Sequence, residues 1–277
     1  MTVKDFAEMV NRVLFCTKNM ISKFAGSTAQ YAELYLEKTE GNLIMTASSE
    51  EPYYQSGFVR HNAGDDFPDF HGTYLSVRKM GEVAKMKGVR LLSISPHANK
   101  EWDDVFSIYR HYTELRFTSE SACISVREDS SYSDFNWIGR YGNADKLARF
   151  FPCSVSLNRL SFLEALNMVA SIANLRFSCL LYLDLFPGTL VLRTFDFEDS
   201  AIIEIPCEYS GNETTLTFEV KLLAETIKHI GTEHVSIRFA QRKVNAAILP
   251  VHSRKETKEQ HDYFFILGQK IIWEDER

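Results

Sequence analysis

The chain has 277 residues, 45% hydrophobic and 25% charged, with 31 Lys and Arg against 37 Asp and Glu for a net charge of -6. That length holds two domains of ordinary size with a sizeable core, and the acidic balance excludes nonspecific coating of nucleic acid while leaving room for a local basic face. No apolar run approaches the roughly 20 residues of a membrane helix, and the five scattered cysteines (Cys16, Cys123, Cys153, Cys179, Cys207) form no CxxC pair, which excludes a disulfide frame or a zinc site.

The N-terminus, MTVKDFAEMV, lacks the basic-then-apolar order of a secretory signal, so a cytoplasmic protein with reduced thiols is expected. A first helix is predicted over VKDFAEMVNRVLFC (3–16), where Phe6, Met9, Val10, Val13 and Leu14 share one face at helical spacing. YAELYLEK (31–38) and NLIMTASS (42–49) alternate about Glu40-Gly41-Asn42, a hairpin signal. Residues 50–72 are rich in Gly, Pro, Asp and Tyr and read as one strand, QSGFVRH (55–61), followed by a loop. SVRKMGEVAKMK (76–87) is predicted to be a second helix, with RLLSIS (90–95), TELRFTS (113–119) and ACISVRE (122–128) as its strands. The polar EDSSYSD (128–134) separates these from FNWIGRY (135–141).

The second half repeats the pattern. From Leu157 it runs into a helix over SFLEALNMVASIAN (161–174), then CLLYLDLF, a Pro187-Gly188 turn, TLVLRTF and AIIEIPCEY. A fourth unit begins at Thr217 with a helix over FEVKLLAETIKHIG (218–231), followed by VSIRFA, VNAAILPV and DYFFILGQKI. Phe6, Val10 and Val13 lie over Phe162, Leu166 and Val169, and YLEKTEGNLIMT lies over YLDLFPGTLVLR. A helix followed by strands, four times in the same order, is a repeat architecture. The expected fold is α+β: two domains, 1–150 and 151–277, each a duplicated unit of one helix plus antiparallel strands, with the boundary at Arg149-Phe150-Phe151-Pro152.

Within 140–271 the order of motifs is GNADKLARFFP (142–152), RLSFLEAL (159–166), Tyr209-Ser210-Gly211, Phe218 opening the last helix region, and YFFILGQKI (263–271). This order resembles the sliding clamps of DNA replication, specifically the bacterial DNA polymerase III beta subunit. That family has an interdomain segment closing with Pro, a helix of LLEAL type, a Tyr-x-Gly turn and a chain end like YLIMPMRL. In the N-terminal half MTASSEEPYY (45–54) stands where the family has an Ala-Thr-Asp-Gly-His-Arg-Leu segment. Asp145 and Gly268 stand where the family usually has prolines, and the chain has room for two of the family's three domains.

The resemblance implies a non-enzymatic processivity factor, without cofactor or metal. Six similar domains would close a ring about duplex DNA, most simply as a homotrimer, with helices inside and sheets outside. Phosphate attraction then needs basic side chains on the helices. Residues 78–90 carry Arg78, Lys79, Lys85, Lys87 and Arg90 against Glu82, and the first helix carries Lys4, Arg12 and Lys18 against Asp5 and Glu8. The third and fourth helices are near neutral, with Arg159 against Glu164, then Lys221 and Lys228 against Glu219 and Glu225. The DNA-binding candidates are Lys4, Arg12, Arg78, Lys79, Lys85, Lys87, Lys221 and Lys228. The resemblance also implies an apolar surface for a linear peptide from a DNA polymerase or another partner, at Ser48, Tyr53 or Tyr54, Leu147, Arg149, Phe150, Phe265 and Leu267.

The sequence holds none of the patterns GxxxxGK[ST], GxSxG or HExxH. His61 and His71 near Asp65, Asp66 and Asp69 leave open a metal-dependent enzyme built on the 50–69 loop, although no fixed ligand spacing supports it. A clamp-fold adaptor that binds peptides without encircling DNA is the other alternative.

Overall fold

The computed structural model describes residues 1–23, 33–49, 55–64, 69–75, 77–103, 108–127, 144–172, 180–195, 200–240, 245–251 and 261–268. The chain divides into two compact units. The first comprises Met1–Pro52, Ser56–Trp137 and Glu259–Tyr263; the second comprises Tyr53–Gln55, Ile138–Lys258 and Phe264–Arg277.

In the first unit, helix α1 (Val3–Lys23) starts at a reciprocal cap. The Asp5 N–H donates to Thr2 Oγ1 (3.0 Å) and the Thr2 N–H donates to Asp5 Oδ2 (3.1 Å), so two otherwise orphaned donors are satisfied. Phe6, Met9, Val10 and Val13 are buried as their spacing requires, and α1 packs on strand β2 (Asn42–Ser49). Strand β1 (Glu33–Thr39) pairs antiparallel with β2, from Glu33 opposite Ser48 to Thr39 opposite Asn42. The two-residue turn between them puts both Glu40 (φ 49) and Gly41 (φ 75) in the left-handed region, the backbone twist a tight hairpin needs. With β3 (Gln55–Asn62) and β4 (Phe70–Leu75) the order is β4-β1-β2-β3. Strand β4 lies partly inside the stretch expected to be a loop; it pairs with β1 through Leu34 opposite Leu75.

Helix α2 spans only Val77–Val83, not 76–87. Beyond Val83 the Lys85 and Met86 amides donate three residues back, to Glu82 and Val83, and Gly88 (φ 130) turns the chain out of any helix. Lys85 and Lys87 therefore lie on a loop. Helix α2 packs against α1 at Gly81, where an added Cβ would sit 3.7 Å from Leu14 Cδ2. Strands β5 (Leu91–Asp103), β6 (Ile108–Ser119) and β7 (Cys123–Arg127) form an antiparallel sheet whose first two members are longer than the sequence pattern indicates. Phe6 of α1 meets Phe117 of β6 with ring centroids 5.4 Å apart, tying this sheet to the helix.

The second unit repeats the plan. After helix α3 (Ala144–Phe150) come β8 (Cys153–Asn158), α4 (Arg159–Ile172), β9 (Leu180–Phe186), β10 (Thr189–Phe195), β11 (Ser200–Pro206), β12 (Thr214–Glu219), α5 (Val220–Lys228), β13 (His234–Phe239), β14 (Asn245–Val251) and β15 (His261–Gly268). Strands β8 and β12, which immediately precede the two helices, were not expected as separate elements. Here the orders are β15-β14-β13-β8 and β11-β10-β9-β12. Helices α4 and α5 pack together, and α4 also covers β10 and β11. Phe162, Leu166 and Val169 are buried like their counterparts Phe6, Val10 and Val13. Glu219 caps α5, its carboxylate accepting the Leu222 N–H at 2.5 Å, so that helix starts two residues later than predicted. Each unit is thus a pair of helices backed by antiparallel sheets.

Candidate functional site

In the first unit the start of α1 is laced to the loop after α2. The Val3 amide donates to the Val89 carbonyl and the Leu91 amide to the Met1 carbonyl, both at 3.2 Å, with Thr2 bridged to Arg90. This backbone lacing sets the first turn of α1, which carries Lys4, beside residues 89–91 at the end of the loop that carries Lys85, Lys87 and Arg90; all four cations are exposed. Lys4 Nζ lies 4.0 Å from Glu8, and Lys79 Nζ lies 3.4 Å from Glu82. Exposed pairs of this kind contribute little to stability and compete with phosphate for the cation. Arg12 is directed elsewhere: its guanidinium sits 4.1 Å from the centroid of the buried Tyr263 ring. The Arg78 and Lys18 side chains lie outside the described residues.

The loop carrying Lys85 and Lys87 is pinned by the β6–β7 turn. Glu120 Oε1 accepts the Arg90 N–H at 3.0 Å and Oε2 accepts the Val89 N–H at 3.2 Å. The hydroxyls of Ser119 (2.9 Å) and Ser121 (2.6 Å) both donate to the Lys87 carbonyl. Hydrogen bonds from its own amide and from Arg90 and Val89 hold the Glu120 carboxyl below the ordinary glutamate range, outweighing the small effect of burial.

In the second unit Lys221 and Lys228 are exposed on α5; Lys228 Nζ lies 3.6 Å from Glu225, whose backbone carbonyl is 2.8 Å from His229 Nδ1. The exposed face of α4 presents Leu160 (56% exposed), Ser161, Glu164, Asn167, Met168 (57%) and Ser171, with no cation. Arg159 is engaged in the scaffold, its Nε donating to the Thr232 carbonyl at 2.9 Å.

Of the peptide-surface candidates, Arg149 and Phe150 (37% exposed) are on the surface of α3, whereas Leu147 is buried. Phe265 and Leu267 are buried in β15, opposite Ile248 and Ala246 of β14. Ser48 is half-buried on β2 in the first unit, and Tyr53 and Tyr54 lie outside the described residues, as do the rest of 50–54 and residues 65–68. His61 is buried on β3. Among the described residues no group of three His, Cys, Asp or Glu side chains is arranged to hold a metal ion, and no helix is long and apolar enough to cross a membrane.

No protein-family profile matches the chain, and no curated protein does. Solved structures do match. The DNA polymerase sliding clamp of Pseudomonas aeruginosa superposes with a TM-score of 0.70 at 15% identity, covering 98% of this chain and 66% of that one. The DnaN clamp of the same organism bound to griselimycin gives 0.68 at 16% identity, covering 98% and 64%. The DNA polymerase III beta subunit of Thermotoga maritima gives 0.70 at 14% identity, covering 99% and 65%. The chain has the sliding-clamp fold. It spans about two thirds of the length of the clamps it matches.

On this clamp fold the helix pairs, the turn glycines and the core faces follow the sequence pattern. Glu120, Ser119 and Ser121 did not stand out, because a polar TSES run between two strands reads as an ordinary turn. Their partners are about 30 residues away in the chain, and only the tertiary fold joins them.

Proposed function

We propose that this chain is a clamp-type DNA processivity factor that encircles duplex DNA as a homo-oligomer, three copies supplying six similar units, and that tethers a DNA polymerase through a peptide-binding surface. The observation that carries this reading is the paired-helix plan, α1 with α2 and α4 with α5, each backed by antiparallel sheets in the sliding-clamp fold. Exposed lysines on or beside these helices (Lys4, Lys79, Lys85, Lys87, Lys221, Lys228) suit sequence-independent attraction to phosphate. Such a protein needs no cofactor and performs no bond chemistry, and it works in the compartment that holds the DNA. Arg149 and Phe150 are the surface residues offered to a partner peptide.

Topological retention tests the ring directly. Protein loaded on nicked circular plasmid should co-elute with it on gel filtration and fall off when one restriction cut linearises the plasmid. Retention that is indifferent to the cut removes encirclement. Light scattering should give the mass of three chains; a strict monomer at high concentration speaks against a ring. Griselimycin, bound by a neighbouring clamp, is the probe for the tether, and Arg149→Ala with Phe150→Ala should weaken its binding.

A second reading is a clamp-fold adaptor that binds partner peptides without encircling DNA. The cation-free, partly apolar face of α4 favours it. Griselimycin binding with no retention on circular DNA would select it.

A further inference from the structure

The β6–β7 turn makes a connection that neither the fold nor the lysines require. Glu120 is an acidic residue set against the loop that carries Lys85, Lys87 and Arg90, with Arg90 the cation that acts on it, and its charge alone would weaken attraction to phosphate there. Yet its carboxylate is spent on backbone: both oxygens accept from the Arg90 amide, at 3.0 and 3.2 Å, and one of them also accepts from Val89. Ser119 and Ser121 take the Lys87 carbonyl from the same side. Met1 and Val3 hold the loop on the other strand edge through Leu91 and Val89. Gly88 completes the arrangement, since its φ of 130 and the 2.9 Å from a would-be Cβ to Glu120 Oε2 leave no room for a side chain. The four residues from Lys87 to Arg90 are all exposed, with Val89 at 80%, and packing anchors this loop only beyond its end, at the buried Leu91. Its shape comes from these bonds.

We propose that Glu120 is a positioning residue for an anionic polymer backbone: it splints the Lys85–Arg90 loop so that its cations stand in one fixed array toward duplex phosphate. This rests on the duplex-binding reading above. The splint removes in advance the entropy that a free loop would lose on binding, and that gain exceeds the repulsion of one carboxylate already engaged by amides.

Charge and positioning give opposite signs, which makes the test sharp. Duplex affinity is read by fluorescence anisotropy of a labelled oligonucleotide duplex over a salt series, on the full chain. Removal of a negative charge by Glu120→Ala should tighten binding if electrostatics alone operates. The splint requires the reverse: affinity falls about tenfold and the log-log salt slope shrinks by about two, the share of two lost phosphate contacts. Glu120→Gln keeps an oxygen where Oε2 stands, within reach of both amides, and should bind as tightly as the wild type or more tightly. Faster amide exchange at Val89 and Arg90 in Glu120→Ala, with the melting temperature held, would place the effect in the loop. If Glu120→Ala binds as well as or better than the wild type, or if Glu120→Gln is as weak as the alanine variant, the splint is wrong while the duplex reading stands. If the wild type has no salt-dependent affinity for duplex, both fall together.

Discussion

Arg193 holds Asp184 at two points across the β9–β10 pair. Arg193 Nη2 donates to Asp184 Oδ1 at 2.9 Å and Nε donates to Oδ2, while Thr215 Oγ1 from β12 donates to Oδ1 at 2.7 Å. Three adjacent strands of the second unit are cross-linked on one face, and the guanidinium also lies 5.5 Å from the centre of the Tyr182 ring. Burial pushes the Asp184 carboxyl up, but the hydrogen bonds from Arg193 and Thr215 and the guanidinium charge outweigh it, and the net shift is downward. A depressed carboxylate stabilises the fold above its unfolded pKa, about 4, and that contribution is lost as pH falls through the folded value. Asp184→Asn should therefore cost about 1–3 kcal/mol at pH 7. The gap to wild type should narrow as pH drops below about 4. Urea titrations of both proteins at neutral and acid pH measure it; a gap that does not narrow on acidification refutes the assignment.

Tyr209 folds back over Gly211 in the turn before β12. Its hydroxyl donates to the Asn212 carbonyl at 2.6 Å, and a Cβ on residue 211 would stand 2.5 Å from that oxygen and 2.7 Å from the ring. Gly211→Ala must displace the ring and break the bond, at a cost of about 1–2 kcal/mol. The same substitution in a Tyr209→Ala background should be nearly neutral, because the clash is gone. Thermal melts of the two single variants and the double close the cycle, and equal costs in both backgrounds would mean that the ring is not the cause.

What could be read in advance divides along physical lines. The Glu40-Gly41 hairpin, the Pro187-Gly188 turn and the two buried helix faces are local patterns: a few residues whose spacing or φ preference decides the outcome. Strand β8 escaped because Cys153-Ser154-Val155-Ser156-Leu157 alternates over only five residues before the helix period takes over, although Val155 and Leu157 are buried as an alternating strand demands. Strand β4 carries Gly72 and follows an Asp- and Pro-rich run, so its pairing with β1 overrides weak propensity. The lysines differ again. A tally sets Glu8, Glu82 and Glu225 against them as a sum, whereas their spacing of three or four residues from Lys4, Lys79 and Lys228 brings each pair within 4.0 Å. Phe265 and Leu267 show the converse: the same apolar residues suit a core strand or a binding surface, and burial in β15 makes them core.

Lys79 and Lys85 separate the helix from the loop as sources of phosphate contact. Lys79 shares its charge with Glu82 at 3.4 Å, whereas Lys85 stands beyond the end of α2. Lys85→Glu should weaken duplex binding more than Lys79→Glu, and the two together should reduce the salt slope by about two. Anisotropy titrations of each single variant measure the order. The reverse order would place the duplex over α2 and away from the pinned loop.

The α4 face makes the last discriminating case. Its exposed residues run Leu160, Ser161, Glu164, Asn167, Met168 and Ser171, one continuous stripe at helical spacing with one negative charge and no positive one. In a ring with its helices inward, this stripe faces the duplex across solvent, and Glu164 opposes binding there. Glu164→Lys then changes two units of charge on an exposed surface that packs against nothing in its own unit, so folding should be unaffected within about 0.5 kcal/mol. It should tighten duplex binding several-fold and steepen the salt slope by about one. In an adaptor that never surrounds DNA the same substitution leaves duplex binding where it was, and, where the stripe is the docking face, weakens the partner through the lysine set between Leu160 and Met168. Salt-dependent duplex titration and griselimycin titration of this one variant assign the face to DNA, to a partner or to neither.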